Sequence, residues 1–304
     1  MNKQFLLILS FLFSSFVAFS QENDSSMVSM LDDEPVTDYV RNSFKTNRVI
    51  NGHSLENTAK GVFDFKISHR FGLLNEGLYG VFGLDQASMR IGGDYGVSDR
   101  LQVGLGRNTY QKTYDGYVKY KILWQSTGAK KMPISLCWIS GMSINTLKWQ
   151  NPDRKNYFTS RLSYFHQAII GRRFNESFSL QLMPTMVHRN LVETRAEKNS
   201  VYLMGIGLRQ KITKRFAVTA EYFYALPNQL ASEYRNSLSL GFDIETGGHV
   251  FQLQFTNSTA MMEKGFLTET NGNWLKGGIH FGFNISRVFT VVRPKEGSAG
   301  TIGW

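Results

Sequence analysis

The stretch GGIHFGFNISRVF, residues 277–289, sets Ile279, Phe281, Phe283 and Ile285 against His280, Gly282, Asn284 and Ser286 in strict alternation. Successive Cβ atoms of a strand point to opposite sides of the sheet, so one face of this strand is apolar and the other polar. In a soluble sandwich the apolar face meets a packed core, whereas in a membrane barrel it meets lipid. One strand fits both architectures, and the choice falls to the rest of the chain.

From Gly61 onward the sequence divides into about twelve strand candidates: 62–71, 87–97, 100–110, 114–125, 134–147, 157–174, 178–190, 201–213, 215–226, 234–246, 249–259 and 278–291. Many match the roughly 9 to 11 residues that a tilted strand needs to cross a bilayer. The alternation recurs in Phe63, Phe65 and Ile67 against Asp64, Lys66 and Ser68, and in Leu238, Leu240, Phe242 and Ile244 against Ser237, Ser239, Gly241 and Asp243. The connections discriminate better than the strands. VSDR, STGAKKMP, FNESF, TKR and ETGGH are short, and they alternate with longer connections such as GLLNEGLYGVFGLDQ, HRNLVETRAEKNS and NSTAMMEKGFLTETNGNWLKG; the one brief exception is QKT. An up-and-down membrane barrel sorts its connections in this way, with short turns on the periplasmic side and long loops outside, and a soluble sandwich has no reason to. The expected fold is therefore all-β, an antiparallel up-and-down transmembrane β-barrel of about 12 strands with lipid on the face of Phe281 and Phe283. Aromatic pairs near the turns, such as Phe174 and Phe178, fit interfacial girdles.

Composition agrees. The chain has 304 residues with 28 Gly, 23 Phe, 13 Tyr and only 6 Pro, which favours strands and tight turns over helices. Residues 1–20, with Lys3, an apolar run from Phe5 to Phe13 and a small-residue ending at Ala18 and Ser20, read as a cleaved signal peptide, so the mature protein is expected to be exported. No later window has the run of about 20 apolar residues of a spanning helix, and the mean hydropathy is −0.25. A lone cysteine, Cys137, excludes an internal disulfide framework. The net charge of +10 is spread through the strands with no basic run, and export removes the occasion to meet nucleic acid, so no nucleic-acid partner is expected. Residues 21–60 precede the barrel with an acidic and then a more basic portion, and read either as a periplasmic leader or as a partial plug; only SFKTNRVI hints at a strand there. The barrel is assigned to 61–291 and a C-terminal tail to 292–304.

The words KTNRVINGHSLE, GVFDFKISHRFG, FGLDQASMRIGGDYGVSDRLQVGLGR, TYDGYVKYK, SLQLMPTMVHRNLV, YRNSLSLGFDIETGGHVFQLQFTNS and FGFNISRVF form a set that resembles the family catalogued as domain of unknown function 5777, over roughly residues 31–289. The resemblance implies an outer-membrane β-barrel of a Gram-negative bacterium. It transfers no activity, substrate or catalytic residue.

The polar strand face should form the interior. Lys66, Arg70, Arg90, Lys119, Lys121, Arg161, Arg209 and Lys211 are the cationic candidates for pore-lining positions, with Asp64, Asp94 and Asp243 as their acidic counterparts, joined by Asp115, Glu221 and Glu245. Two arrangements remain open. Such charges can neutralise one another across a narrow lumen, or leave a mildly cation-lined path that favours anionic solutes. Twelve strands lie between filled and open barrels and do not decide. The six histidines include no pair at metal-ligand spacing, so neither a metal nor a cofactor is expected. His53 beside Ser54 cannot act as a catalytic pair on one strand, and His166 and His188 lie at different distances from their shared turn, so no catalytic residue is assigned and no enzyme is expected. The glycines of GLGRNTYQ lack the helix and Gly-Lys pair of a phosphate loop and are read as relieving crowding in a curved sheet. The expected function is a passive channel or uptake pore for a small solute in contact with outer-membrane lipid; the alternative is a closed barrel with a structural or surface-binding role, its long last loop meeting an outside partner. Oligomeric state is not legible.

Overall fold

The structure, a computed structural model, describes residues 36–246 and 249–292; the expectations for 1–20, for 21–35 and for the tail beyond 292 lie outside the described residues. Twelve antiparallel strands close into one barrel: β2 (Val62–Leu73), β3 (Ala87–Gly96), β4 (Leu101–Asn108), β5 (Tyr114–Leu123), β7 (Ser135–Ile144), β8 (Leu162–Arg173), β9 (Phe178–Arg189), β10 (Ser200–Lys211), β11 (Phe216–Ala225), β12 (Ser237–Thr246), β13 (His249–Thr256) and β14 (His280–Thr290). Each pairs with its neighbour in sequence, and β14 closes on β2 with Ile285 opposite Ile67 and a register shift between His280 and Gly282. Closure leaves no unpaired edge, which a sheet surrounded by hydrocarbon requires because lipid offers the backbone no hydrogen-bond partner. Two short strands, β1 (Thr37–Tyr39) and β6 (Ser126–Gly128), form a separate antiparallel pair.

The burial pattern settles which way the strands face. Along β14 the polar set His280, Gly282, Asn284 and Ser286 is buried while Phe281, Phe283 and Ile285 are left half-exposed. On β12, Ser239 is fully buried and its neighbour Leu240 is 42% exposed; on β4, Leu105 is 72% exposed. A protein in water would show the reverse. Apolar side chains outside and polar ones inside are the pattern of a barrel whose outer surface is solvated by lipid. Among the described residues no helix is long and apolar enough to cross a membrane; the strands do so.

Three local expectations are corrected. The strand expected over 157–174 begins only at Leu162, because Phe158–Arg161 forms a 3₁₀ turn in which the Arg161 guanidinium donates to the carbonyls of Asn145 and Leu147 at 2.8 and 2.6 Å and lies 3.9 Å over the Trp149 ring. The strand expected over 249–259 ends at Thr256, since the Asn257 amide turns to donate to the carbonyls of Asn236 and Gly272 at 2.9 and 3.0 Å. SFKTNRVI does not form a strand; it makes one isolated bridge, Arg48 to His53.

The core of this inside-out molecule is its lumen. The Val40 amide donates to the Gln125 carbonyl at 2.8 Å, beside the connection between β5 and β7, and the chain from Arg41 then runs inward, turns at Val49–Gly52 (Val49 N–H to Gly52 O, 2.8 Å), and returns. It regains the rim where Lys60 bridges Gly96, and Gly61 starts β2 from a left-handed backbone, φ +74°, that suits a residue without Cβ. Both ends of the re-entrant segment sit at the short-turn end of the barrel.

Candidate functional site: a plugged lumen

Residues 41–60 have almost no regular secondary structure, so their backbone amides and carbonyls need partners once buried. The wall supplies them. The Glu221 carboxylate accepts the N–H groups of Asn51 (2.8 Å), Gly52 (3.0 Å) and Ile50 (3.2 Å). Gln181 accepts from Leu55 N–H at 3.1 Å and donates to the His53 carbonyl at 2.7 Å; Gln102 accepts from Thr58 N–H at 2.7 Å. The side-chain amides of Gln252 and Asn284 donate to the carbonyls of Val49 and Ile50 at 3.0 and 3.1 Å.

Between these anchors the plug buries Phe44, Val49, Ile50 and Leu55, each 1% exposed, in a cluster with inward side chains that include Cys137, Ile139, Ile169, Met183, Leu203 and Phe223. Gly52 is required at the tip: a Cβ there would stand 2.8 Å from the Phe223 ring. The lumen thus has two arcs, an apolar one on β7 to β11 and a charged one on β2 to β5 and β12 to β14.

Most of the candidate lumen residues face this plug. Lys66, Arg70, Arg90, Lys119, Lys121, Arg209, Asp64, Asp94 and Asp243 are all buried on the inner face. Arg70 donates to Asn51 Oδ1 at 2.7 Å and to Asn284 Oδ1 at 3.1 Å; Lys66 donates to Asn47 Oδ1, and Asn47 in turn to Asp94 at 2.7 Å. Lys119 donates to the carbonyls of Ser54, at 2.7 Å, and Glu56. Arg90 pairs with Asp115, its Nε at 3.0 Å, across the inward glycine Gly106, whose missing side chain leaves room for that guanidinium. Asp243 accepts from Gln252 at 2.8 Å, and Lys121 lies 4.4 Å over the Trp124 ring. Lys211 is half-buried at the short-turn mouth. Arg161 is the exception: held by the long connection between β7 and β8, it lines no part of the lumen.

The opposite mouth is closed by the connection between β13 and β14. Expected to reach outward, it folds inward instead, burying Met261, Met262 and a short helix, α1 (Glu263–Thr268), whose Phe266 packs 5.4 Å, centroid to centroid, from Phe223. Glu263 meets the plug: its Oε1 lies 2.9 Å from Arg48 Nη1 and 3.1 Å from His53 Nε2. Burial and then the Arg48 charge push the His53 imidazole down to about 3, so it is neutral. Burial alone would raise Glu263, but Arg48 and His53 outweigh it and hold the carboxylate well below its usual range. A plug that enters from one end and a loop that enters from the other are therefore joined by one buried ion pair.

Arg48, His53 and Glu263 were not singled out together by the sequence, and no spacing links them. A signal for the plug did exist. Cys137, Ile139, Phe165, Ile169, Met183, Val187 and Leu203 fall on the same strand faces as Ser135, Gln167 and Gln181, and a water-filled interior would have no use for them.

Other constellations resolve plainly. Ser54 Oγ donates to the Thr46 carbonyl at 2.6 Å and does not engage His53. Two Ser–His contacts lie across strands, Ser140 Oγ to His166 Nδ1 at 2.9 Å and Ser200 Oγ to His188 Nδ1 at 2.8 Å; they are register neighbours, and in the first the hydroxyl oxygen also accepts from Trp138 Nε1 at 2.9 Å. Among the described residues no group of three His, Cys, Asp or Glu side chains is placed to hold a metal ion. On the short-turn side, a cavity of about 600 Å³ lies between plug and wall, lined by residues that include Phe44, Trp124, Val62 and Val250 with Lys45, Glu56 and Asp64.

Among solved structures the chain resembles the NanC porin, at 7% identity, covering 76% of this chain and 100% of that one with a TM-score of 0.46. It also resembles the outer membrane protein Omp33 of Acinetobacter baumannii, at 8% identity, covering 75% and 97% with a TM-score of 0.41. The CymD monoaromatic hydrocarbon channel follows at 10% identity, 77% and 89% coverage and a TM-score of 0.36. No protein of curated function matches the chain. The model of the membrane bound beta barrel domain, domain of unknown function 5777, matches residues 44–289, from within the plug to the end of the closing strand, and the chain belongs to that family.

Proposed function

We propose that this protein is a gated outer-membrane conduit for a small solute, closed at rest by residues 41–60 and by the inward-folded loop that carries Glu263. In this reading the chain reaches the outer membrane of a Gram-negative bacterium through a signal peptide cleaved near Ser20, and its short turns face the periplasm. It performs no chemistry on what it passes. The observation that carries the proposal is the path of the plug: it enters and leaves by the same rim, so it can withdraw without being threaded through the barrel. The charged arc supports it, because a vacated lumen would present Lys66, Arg70, Lys119, Asp64 and Asp94 to water. The alternative, a permanently closed barrel with a structural or surface-binding role, is favoured by the dry packing of the apolar arc.

A cross-link separates the two. Asn51 and Ser239 touch, Nδ2 to Oγ at 3.1 Å, so the Asn51→Cys, Ser239→Cys double variant on a Cys137→Ser background can fix plug to wall. In planar bilayers the reduced protein should show discrete openings that oxidation abolishes. Deletion of residues 41–60 should raise conductance in both redox states. Silence of the reduced variant and of the deletion, with both shown to be folded, would sink the conduit and leave the closed barrel in front.

A further inference from the structure

At the short-turn mouth, a pocket of about 170 Å³ gathers five cationic side chains, Lys45, Arg173, Arg209, Lys211 and Lys214, against two carboxylates, Glu176 and Glu245. It is built by two parts of the chain: Lys45 and Asn42 come from the plug, the others from the ends of β8, β10 and β12 and their turns. The carboxylates do not neutralise it. Glu245 is engaged by Lys45 at 2.9 Å and by Arg209 Nη2 at 3.5 Å. Arg173 gives one donor each to the carbonyls of Arg41 and Asn175, at 2.8 and 3.2 Å, which are neutral acceptors and leave its charge. Among the described residues no carboxylate lies within 4.0 Å of Arg173, Lys211 or Lys214.

Arg209 is the most telling member. It is only 7% exposed, and its two carboxylate contacts are long: Nε lies 3.5 Å from Asp243 and Nη2 3.5 Å from Glu245. A buried guanidinium presents five donors in a fixed fork, and two contacts of that length leave capacity for a further acceptor. Planar forks and convergent ammonium groups are the chemistry by which proteins hold phosphate oxygens. The cavity admits several waters, and so a tetrahedral oxyanion.

We propose that this pocket binds a phosphate group from the short-turn side, held by Arg209, Lys211 and Lys214 from the wall and by Lys45 from the plug. The group is carried either by a free small anion or by a phospholipid headgroup. Because it touches both parts, the bound anion stabilises the plug in place, and the site requires only the docked plug, not its withdrawal.

The test is calorimetric titration of inorganic phosphate into the full-length protein in dodecyl maltoside, a detergent without phosphate, at low ionic strength. The parent should bind saturably at one site. The Lys211→Gln, Lys214→Gln double variant and Arg209→Gln should each bind at least about tenfold more weakly, and Glu245→Gln, which removes a competing carboxylate, more tightly. Unchanged protection of the buried Cys137 thiol shows that each variant is folded. Repeating the titration in phosphatidylglycerol and phosphatidylcholine nanodiscs identifies the source: loss of phosphate affinity only in the anionic lipid assigns the site to headgroups, and equal affinity in both assigns it to a free anion. No saturable binding to the folded parent up to about 10 mM, or equal binding by parent and all variants, overturns the proposal.

Discussion

Glu221 is the wall's main grip on the plug, and Glu221→Gln tests whether the wall rather than the plug's own fold keeps the lumen filled. Oε2 accepts from Ile50 and Gly52, and Oε1 from Asn51. An amide oxygen can keep the first two bonds, but its NH₂ group then faces the Asn51 N–H, and an unsatisfied buried N–H costs about 1–3 kcal/mol. The two bonds that survive lose their ionic assistance, about 1 kcal/mol more. Relief from desolvating the carboxylate works in the opposite direction. A net weakening of about 2–3 kcal/mol raises the undocked fraction by about 30- to 150-fold. The chain carries its own reporter: Cys137 is fully buried with Sγ 3.5 Å from the Leu55 carbonyl, so a maleimide reaches it only when the plug has moved. Where redocking outpaces labelling, the labelling rate follows the undocked fraction. Glu221→Gln should therefore label faster by that factor. Ser239→Ala, which removes one neutral bond from the Asn51 amide, should change the rate by less than about tenfold. Labelling of Glu221→Gln at the parent rate, while Gly52→Val labels rapidly through its clash with Phe223, would refute the anchoring argument.

Two further outcomes follow from the same geometry. His53 has an ordinary value of 6.5 when the plug is out and about 3 when it is docked, lowered first by burial and then by Arg48; a depressed value means that docking is favoured above 6.5 and weakens as pH falls toward 3, by at most about tenfold per pH unit. Glu263, also depressed, loses its contribution in the same direction below 4.5, with Lys119 and Tyr117 the other polar groups facing His53. Openings in a planar bilayer should become more frequent from pH 7 to 5, and His53→Asn should flatten that profile; a parent already flat contradicts the lock. On the lipid side, Leu240→Asp places a carboxylate on the outer face of β12 at a cost of up to about 2 kcal/mol, whereas Leu240→Met should be neutral, so the urea midpoint for folding into bilayers should fall only for the first. Equal midpoints would mean that this face does not meet lipid.

The barrel was legible because membrane strands are written in a period of two and their connections in alternating lengths. Phe281 and Phe283 reveal their direction by alternation alone, and β12 and β14 meet the expected boundaries within a few residues. The interior was less legible for a physical reason. Alternation says that Lys119 or Gln181 points inward; it does not say what waits there. The plug has no period, since its backbone is satisfied by scattered side chains such as Glu221, Gln102 and Gln252 in place of a ladder. Glu263 and Arg48, 215 residues apart, carry no sequence mark of their contact. Arg161 fails for a simpler reason: it stands at the end of a strand, where a turn of 3₁₀ helix can redirect a side chain that alternation would have sent inward.

In the proposed conduit the two arcs of the lumen would divide the work of closing and opening. Phe44, Val49, Ile50 and Leu55 have value to the closed state only against Ile139, Ile169, Met183, Leu203 and Phe223, and returning each such side chain to water costs about 1.5–3 kcal/mol. The charged arc behaves differently. Arg70, Lys66 and Lys119 hold plug oxygens that water could replace if the plug left, a substitution close to neutral for a hydrogen bond. Apolar packing would therefore set how firmly such a conduit is shut, and the charged arc would keep a vacated lumen wettable. Enlarging the apolar arc at the expense of the charged one would give a barrel that never opens; the reverse would give one that never shuts. Glu221 stands beside Phe223 at the seam between them, which is why one carboxylate on that strand holds the tip of the plug and why its loss should be felt across the whole lumen.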